Sequence, residues 1–221
     1  MALDPPPNVD TRLWISQRFE VLKDVAQGFK IGLPAILARG VKDIAGIFKD
    51  YEGLLIADLK LADIGDIMAT VAKMLKNYGF NAVIAHSFVG VDQGLEVLAK
   101  VCEDEDLKLV LVVSMSHRGS QEFIDKHLDE FLEIARSIKS WGVVAPATRL
   151  EVIKYVRSRL GVDMKILAPG VGAQGAMPGD AICAGADYEI VGRAITYSSR
   201  PRETALNIVK EQKEKVIKCR G

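Results

Sequence analysis

Three charged residues, spaced Asp58-x-Lys60-x-x-Asp63, follow directly on the apolar run 54–57. Side chains alternate along a β-strand, so Leu54, Ile56, Asp58 and Lys60 are expected on one face and Leu55, Ala57 and Leu59 on the other. Both faces of the first half are apolar, which suits a parallel strand covered on both sides. An acid and a base then stand together at the carboxyl end of a buried strand, where α/β proteins bind their ligands. Surface ion pairs mean little, but desolvated charges cost energy unless pairing or function offsets it. An ammonium fixed in such a place can stabilise a developing negative charge and then supply a proton.

Other apolar runs also end in polar groups. Asp4 follows residues 1–3, Lys30 lies within 28–32, His86 ends 80–86, Ser116 ends 107–116 with His117 next, and Gly192-Arg193 follow 188–191. Pro169 opens a loop with the pattern Gly170-Val171-Gly172-Ala173-Gln174-Gly175. A dinucleotide fingerprint of this form belongs on the first strand of a βαβ unit, with an acid about 20 residues on. Here the loop follows the seventh candidate strand, and Asp187 and Glu189 arrive too early. Late barrel loops instead bind phosphate through backbone N–H groups, and the Arg193 guanidinium can add a bidentate contact. A phosphate-bearing substrate is therefore expected. His86, His117 and His127 lack metal-site spacing. Asp58 and Asp63 could hold a divalent ion, but Lys30 and Lys60 already supply positive charge, which disfavours one. Ser116 lacks a Ser-His-Asp order and reads as a hydrogen-bonding residue.

The elements that must position these groups alternate strand and helix. Strands are expected at 1–3, 28–32, from 54, and at 80–86, 107–116, 143–145, 164–168 and 188–191. Helices are expected over 11–26, 35–50, 64–78, 91–102, 121–140, 148–160 with Thr148 as N-cap, 180–184 and 202–217. Eight strand–helix units in 221 residues predict a single (β/α)8 barrel over residues 1–221, with a doubly wound open sheet as the alternative and a first strand short for a barrel. The 29 basic and 29 acidic side chains balance, leaving no global field to hold nucleic acid or an acidic membrane. No apolar run is long enough to span a bilayer. Three scattered cysteines speak against a disulfide framework and for a reducing, cytoplasmic setting.

Asp58-x-Lys60-x-x-Asp63, Lys30 in FKIGLP, Met115-Ser116-His117, APGVGAQG from Ala168 to Gly175, and Val191-Gly192-Arg193 together resemble the orotidine 5′-monophosphate decarboxylases, and the length resembles the short archaeal-type members. The resemblance implies a homodimeric barrel that converts orotidine 5′-monophosphate to uridine 5′-monophosphate and carbon dioxide, the last step of pyrimidine nucleotide synthesis, without metal or cofactor. It implies a charge array of Lys30, Asp58 and Lys60 completed by Asp63 from the partner subunit, with Lys60 as proton donor to C6. Asp4 and Lys30 would hold the ribose and Ser116 the pyrimidine edge. The loop Pro169, Gly170, Val171, Gly172 and Gln174, with Gly192 and Arg193, would hold the phosphate. Ile64 and Ile67 would come from the partner. Ile67 stands where members often have threonine, which removes a hydroxyl from the ribose contact. Arg118 replaces a frequent proline and makes the loop over the base less rigid. Metal-dependent phosphosugar lyases resemble the chain at D-x-K-x-x-D, with an acid expected in place of Lys30.

Overall fold

The structure, a computed structural model, describes residues 1–220. Seven parallel strands form one curled sheet in the order β1 (Gly28–Gly32), β2 (Leu54–Leu61), β3 (Ala82–His86), β4 (Lys108–Val112), β5 (Gly142–Val144), β6 (Lys165–Val171) and β7 (Tyr188–Val191). The expected first strand is reduced to a bridge. Ala2 pairs with Lys30, the Ala2 N–H donates to the Val191 carbonyl at 2.9 Å, and the Lys30 N–H donates to the Met1 carbonyl at 2.8 Å. The segment around Ala2 therefore bonds to both edges of the sheet, and it sets Asp4 at the rim.

Helices follow the strands: α1 (Thr11–Leu22), α2 (Leu33–Arg39), α3 (Val41–Ala45), α4 (Gly65–Asn77), α5 (Glu96–Asp104), α6 (Leu128–Ser137), α7 (Leu150–Leu160), α8 (Asp180–Cys183), α9 (Arg193–Thr196) and α10 (Pro201–Arg220). Alternation along the strands splits the core in two. Ile56, Ile84, Val110, Val112, Val144, Leu167 and Ile190 pack inside the curl. Phe29, Ile31, Leu55, Val83, Leu109, Leu111 and Val143 face the helices. Strands buried on both faces need valine, isoleucine and leucine at nearly every position.

Several expected elements are shorter or broken. The helix expected over 35–50 breaks at Gly40, whose φ of 77° no regular helix accommodates. The stretch 121–140 is helical only from Leu128; the 3₁₀ turns Arg118–Glu122 and Ile124–His127 precede it. The stretch 91–102 begins with a kink at Asp92 and Gln93 and becomes regular at Glu96. Thr148 does not cap α7: Arg149 holds that position, and the buried Thr148 hydroxyl lacks a partner among the described residues. β6 runs on through Pro169 to Val171 past an irregularity in its pairing with β7.

The cysteine reading is corrected. Cys183 and Cys219 form a disulfide, because α10 returns across α8 and brings together residues 36 apart in sequence. Cys102 is buried and free, and burial pushes its thiol up to about 12. No described helix is long and apolar enough to cross a membrane.

Candidate active site

β2 does not stay regular to its end. From Ala57 to Leu61 it takes four steps while β3 takes two, from Val83 to Ala85, and Lys60 sits at φ 47°. A left-handed conformation costs a non-glycine residue about 1–2 kcal/mol. Strain of this kind is found where a side chain is held for function. Here the turn puts the Lys60 ammonium back over Asp58. The acid–base pairing expected from alternation forms, but through a bulge.

Asp58 is the hub. Its Oδ2 accepts from Lys30 Nζ at 2.7 Å and its Oδ1 from Lys60 Nζ at 2.7 Å. Its side chain is 9% exposed, that of Lys30 12% and that of Lys60 39%. Burial alone would raise the Asp58 carboxyl, but the two ammoniums outweigh it and hold Asp58 below the usual carboxylate range. Asp4 lies 3.9 Å from Lys30 Nζ. Gly32 makes room for it: a Cβ there would lie 2.5 Å from Asp4 Oδ1. His86, at the end of β3, stacks on Phe88 at 4.6 Å. Burial, and then the Lys60 charge, lower its pKa, so the ring is neutral at pH 7.

Asp58 and its lysines, but not His86, open into a cavity of about 280 Å³ at the carboxyl ends of the strands. Asp4, Lys30, Asp58, Lys60, Ser116, Pro169, Gly170, Val171, Gln174, Gly192 and Arg193 all line it. Its floor is apolar, from Ile84, Val112, Val144 and Ile190, and Met115 and Ala173 complete the wall. A mostly apolar cleft with a few convergent charges suits one small ligand. Gly170, at φ 118°, and Gly172, at φ 77°, allow the chain to turn beside it, and a Cβ on Gly172 would lie 2.6 Å from the Ala194 Cβ on α9. The loops after β6 and β7 are therefore packed together at one end of the cavity, with the exposed Gln174 and Arg193 beside them.

Asp63, Ile64, Ile67 and Gly172 lie outside that lining. Asp63 is exposed and accepts from the Ile64 N–H at 2.7 Å. Ile64 is 64% and Ile67 49% exposed at the start of α4. Asp187 and Glu189 have structural work. Asp187 pairs with Arg157 and Lys165, and Glu189 accepts from the N–H groups of Gly179 and Ala181. They also line a larger, mainly apolar cavity of about 620 Å³ at the opposite end of the sheet, so the site is identified by its chemistry and not by size.

One cluster behind the site was not foreseen. Asp125, Arg149, Ser114 and Ser120 bond to one another under the strand end that carries Ser116. Asp125 lies in the stretch expected as an amphipathic helix, where an acid reads as solvated, and no local spacing links it to Arg149.

A family model described as Orotidine 5′-phosphate decarboxylase / HUMPS family matches residues 1–208. The chain is 48% identical over 204 residues to an orotidine 5′-phosphate decarboxylase of Aeropyrum pernix, covering 91% of this chain and 82% of that one. It is 43% identical over 195 residues to that of Pyrococcus furiosus, covering 88% and 90%. Among solved structures, the Pyrococcus horikoshii orotidine 5′-phosphate decarboxylase superposes with a TM-score of 0.84 at 40% identity, covering 93% and 96%. The Methanocaldococcus jannaschii enzyme complexed with inhibitor BMP gives 0.82 at 32% identity, covering 97% and 93%.

Proposed function

The chain belongs to the orotidine 5′-phosphate decarboxylase / HUMPS family, and from that premise we propose that it decarboxylates orotidine 5′-monophosphate to uridine 5′-monophosphate, without metal or cofactor. The observation that carries the proposal is the pair of 2.7 Å bonds from Lys30 and Lys60 to the two oxygens of buried Asp58, at the wall of a small cavity.

The C6–carboxylate bond breaks heterolytically, carbon dioxide leaves, and the electron pair stays on C6, where the ring offers no adjacent sink. The Lys60 ammonium stabilises that charge and transfers a proton to C6, giving uridylate; solvent then reprotonates Lys60. Asp58 keeps Lys60 in place, and Lys30 keeps Asp58 ionised. The ammonium is thus oriented before the charge develops, which is where electrostatic catalysis is strongest. Asp58 also lies beside the substrate carboxylate, but ground-state repulsion is the weaker source of rate.

Asp4 and Lys30 hold the ribose, and Ser116 reads the pyrimidine edge. Gln174, Gly192 and Arg193, with the backbone of Pro169 to Gly172, hold the phosphate. Binding energy from the phosphate, remote from C6, orients the substrate. Asp63, Ile64 and Ile67 serve the site of a second copy. Support comes from their position outside the chain's own cavity and from two exposed isoleucines, which a dimer would cover. The whole chain acts as one catalytic domain, a barrel of eight staves with the segment around Ala2 as the first; its bonds to both edge strands support that reading. A metal-dependent phosphosugar lyase is disfavoured because lysines take both Asp58 oxygens.

The test is the ultraviolet absorbance of orotidylate mixed with protein in excess chelator. Loss of the orotidylate band at an undiminished rate supports the reading. Activity that vanishes with chelator and returns with Mg²⁺ refutes the metal-free mechanism, and an unchanged band refutes the activity.

A further inference from the structure

Asp125 does not line the cavity, yet the backbone in front of Ser116 hangs from it. Asp125 Oδ1 accepts from the hydroxyls of Ser114 at 2.7 Å and Ser120 at 2.8 Å, and its Oδ2 pairs with the Arg149 guanidinium. Those donors in turn grip Met115 on both sides. The Met115 N–H donates to Ser120 Oγ at 3.1 Å, and Arg149 Nη2 donates to the Met115 carbonyl and, at 2.8 Å, to Ser114 Oγ. Ser114 and Ser120 are buried, and the Asp125 and Arg149 side chains are each 16% exposed.

The direction of every bond follows from the carboxylate. An ionised carboxylate only accepts, so both serine hydroxyls spend their single proton on Asp125. Their lone pairs are left for Met115 N–H and for Arg149. Burial alone would raise the Asp125 carboxyl, but the bonds from Arg149, Ser114 and Ser120 outweigh it and hold the group ionised. Charge-assisted bonds of this kind are stronger and geometrically narrower than neutral ones. The cost of burying four polar side chains at the end of β4 is met only if all of them are satisfied together.

We propose that Asp125, acting through Arg149 and Ser120, is a positioning residue that fixes the backbone at Met115 and thereby sets how Ser116 recognises the pyrimidine edge. The inference rests on the reading of Ser116 as the base contact. It gives the cluster a role in base selectivity that a general contribution to stability would not produce.

The test compares two probes by calorimetric titration: uridine 5′-monophosphate, which has a base, and ribose 5-phosphate, which has none. Asp125→Asn keeps size and polarity but loses the charge that orients the donors. It should weaken uridylate binding about tenfold, the order expected for loss of a hydrogen bond to a charged group, and leave ribose 5-phosphate within twofold. In the Ser116→Ala background it should weaken uridylate no further, because the contact it positions is gone. Ser120→Ala, which removes the acceptor for Met115 N–H and one donor to Asp125 but leaves the Arg149 pair, should give the same pattern with a smaller, roughly threefold effect, and serves where Asp125→Asn does not fold.

Equal weakening of both probes, or additive effects of Asp125→Asn and Ser116→Ala, would overturn the inference while leaving the proposed reaction intact. If Ser116→Ala itself leaves uridylate binding unchanged, the Ser116 assignment fails and the inference falls with it. Wild-type protein that binds uridylate no better than ribose 5-phosphate refutes the nucleotide reading at its root.

Discussion

Truncating the two lysines on Asp58 should affect stability unequally and activity alike. Lys30 and Asp58 are 12% and 9% exposed, so Lys30→Ala leaves a buried carboxylate short of its more buried partner. Breaking a buried pair from one side costs about 3–5 kcal/mol. Lys60 is 39% exposed, and its attraction to Asp58 is screened by solvent; Lys60→Ala should cost only about 1 kcal/mol. For a chain of this size about 1 kcal/mol moves the Tm by roughly 2–4 °C. Lys30→Ala should therefore melt at least about 6 °C below wild type and Lys60→Ala only about 2–4 °C below it. Decarboxylation should nevertheless fall at least about a thousandfold in Lys60→Ala, since one oriented donor and one proton donor disappear together. The backbone supplies an internal control. With φ at 47°, Lys60→Gly should be more stable than Lys60→Ala by about 1 kcal/mol, because glycine relieves the left-handed strain. Scanning calorimetry and the orotidylate absorbance assay read both quantities. Equal destabilisation by Lys30→Ala and Lys60→Ala, or a Lys60→Ala protein within tenfold of wild-type rate, would refute the reasoning.

Three further outcomes are expected. Asp58 has a folded-state pKa below its unfolded one, so its stabilisation is complete above the unfolded value, about 4, and is lost as pH falls through the lowered value. Acid unfolding monitored by circular dichroism should start below about pH 4, and Asp58→Asn should flatten that limb. Mixing inactive Lys60→Ala with inactive Asp63→Ala chains should restore activity in mixed dimers, assayed after verified subunit exchange; no recovery contradicts the cross-subunit assignment of Asp63. Cys219→Ser opens a closure spanning 36 residues, which should cost about 3–4 kcal/mol in the chain-entropy account. Its melting point should then match that of reduced wild type.

The rim of the site was legible because strand ends announce themselves: apolar runs stop at Asp58, Lys60, Ser116, Pro169 and Arg193, and all five line one cavity. Lys30 could be placed beside Asp58 because neighbouring parallel strands bring their equivalent ends together. What could not be read depends on tertiary geometry. Period-two alternation gave Lys60 the right neighbour but not the bulge and positive φ that put it there. Cys183 and Cys219 look unrelated until α10 returns over α8. Asp125 and Arg149 lie 24 residues apart, and each looks like an ordinary solvated charge on its own helix face. The break at Gly40 is hidden in the sequence although the glycine is visible, since the apolar spacing continues on both sides of it.

The central claim is that the Lys60 ammonium serves a carbanion at C6. The reverse of the proton-transfer step tests it without decarboxylation: uridylate incubated with protein in D₂O, with loss of the C6 proton followed by NMR. Wild type should exchange that proton for deuterium, and Lys60→Ala should bind uridylate yet leave the C6 signal intact. Exchange at the wild-type rate by Lys60→Ala would contradict the account.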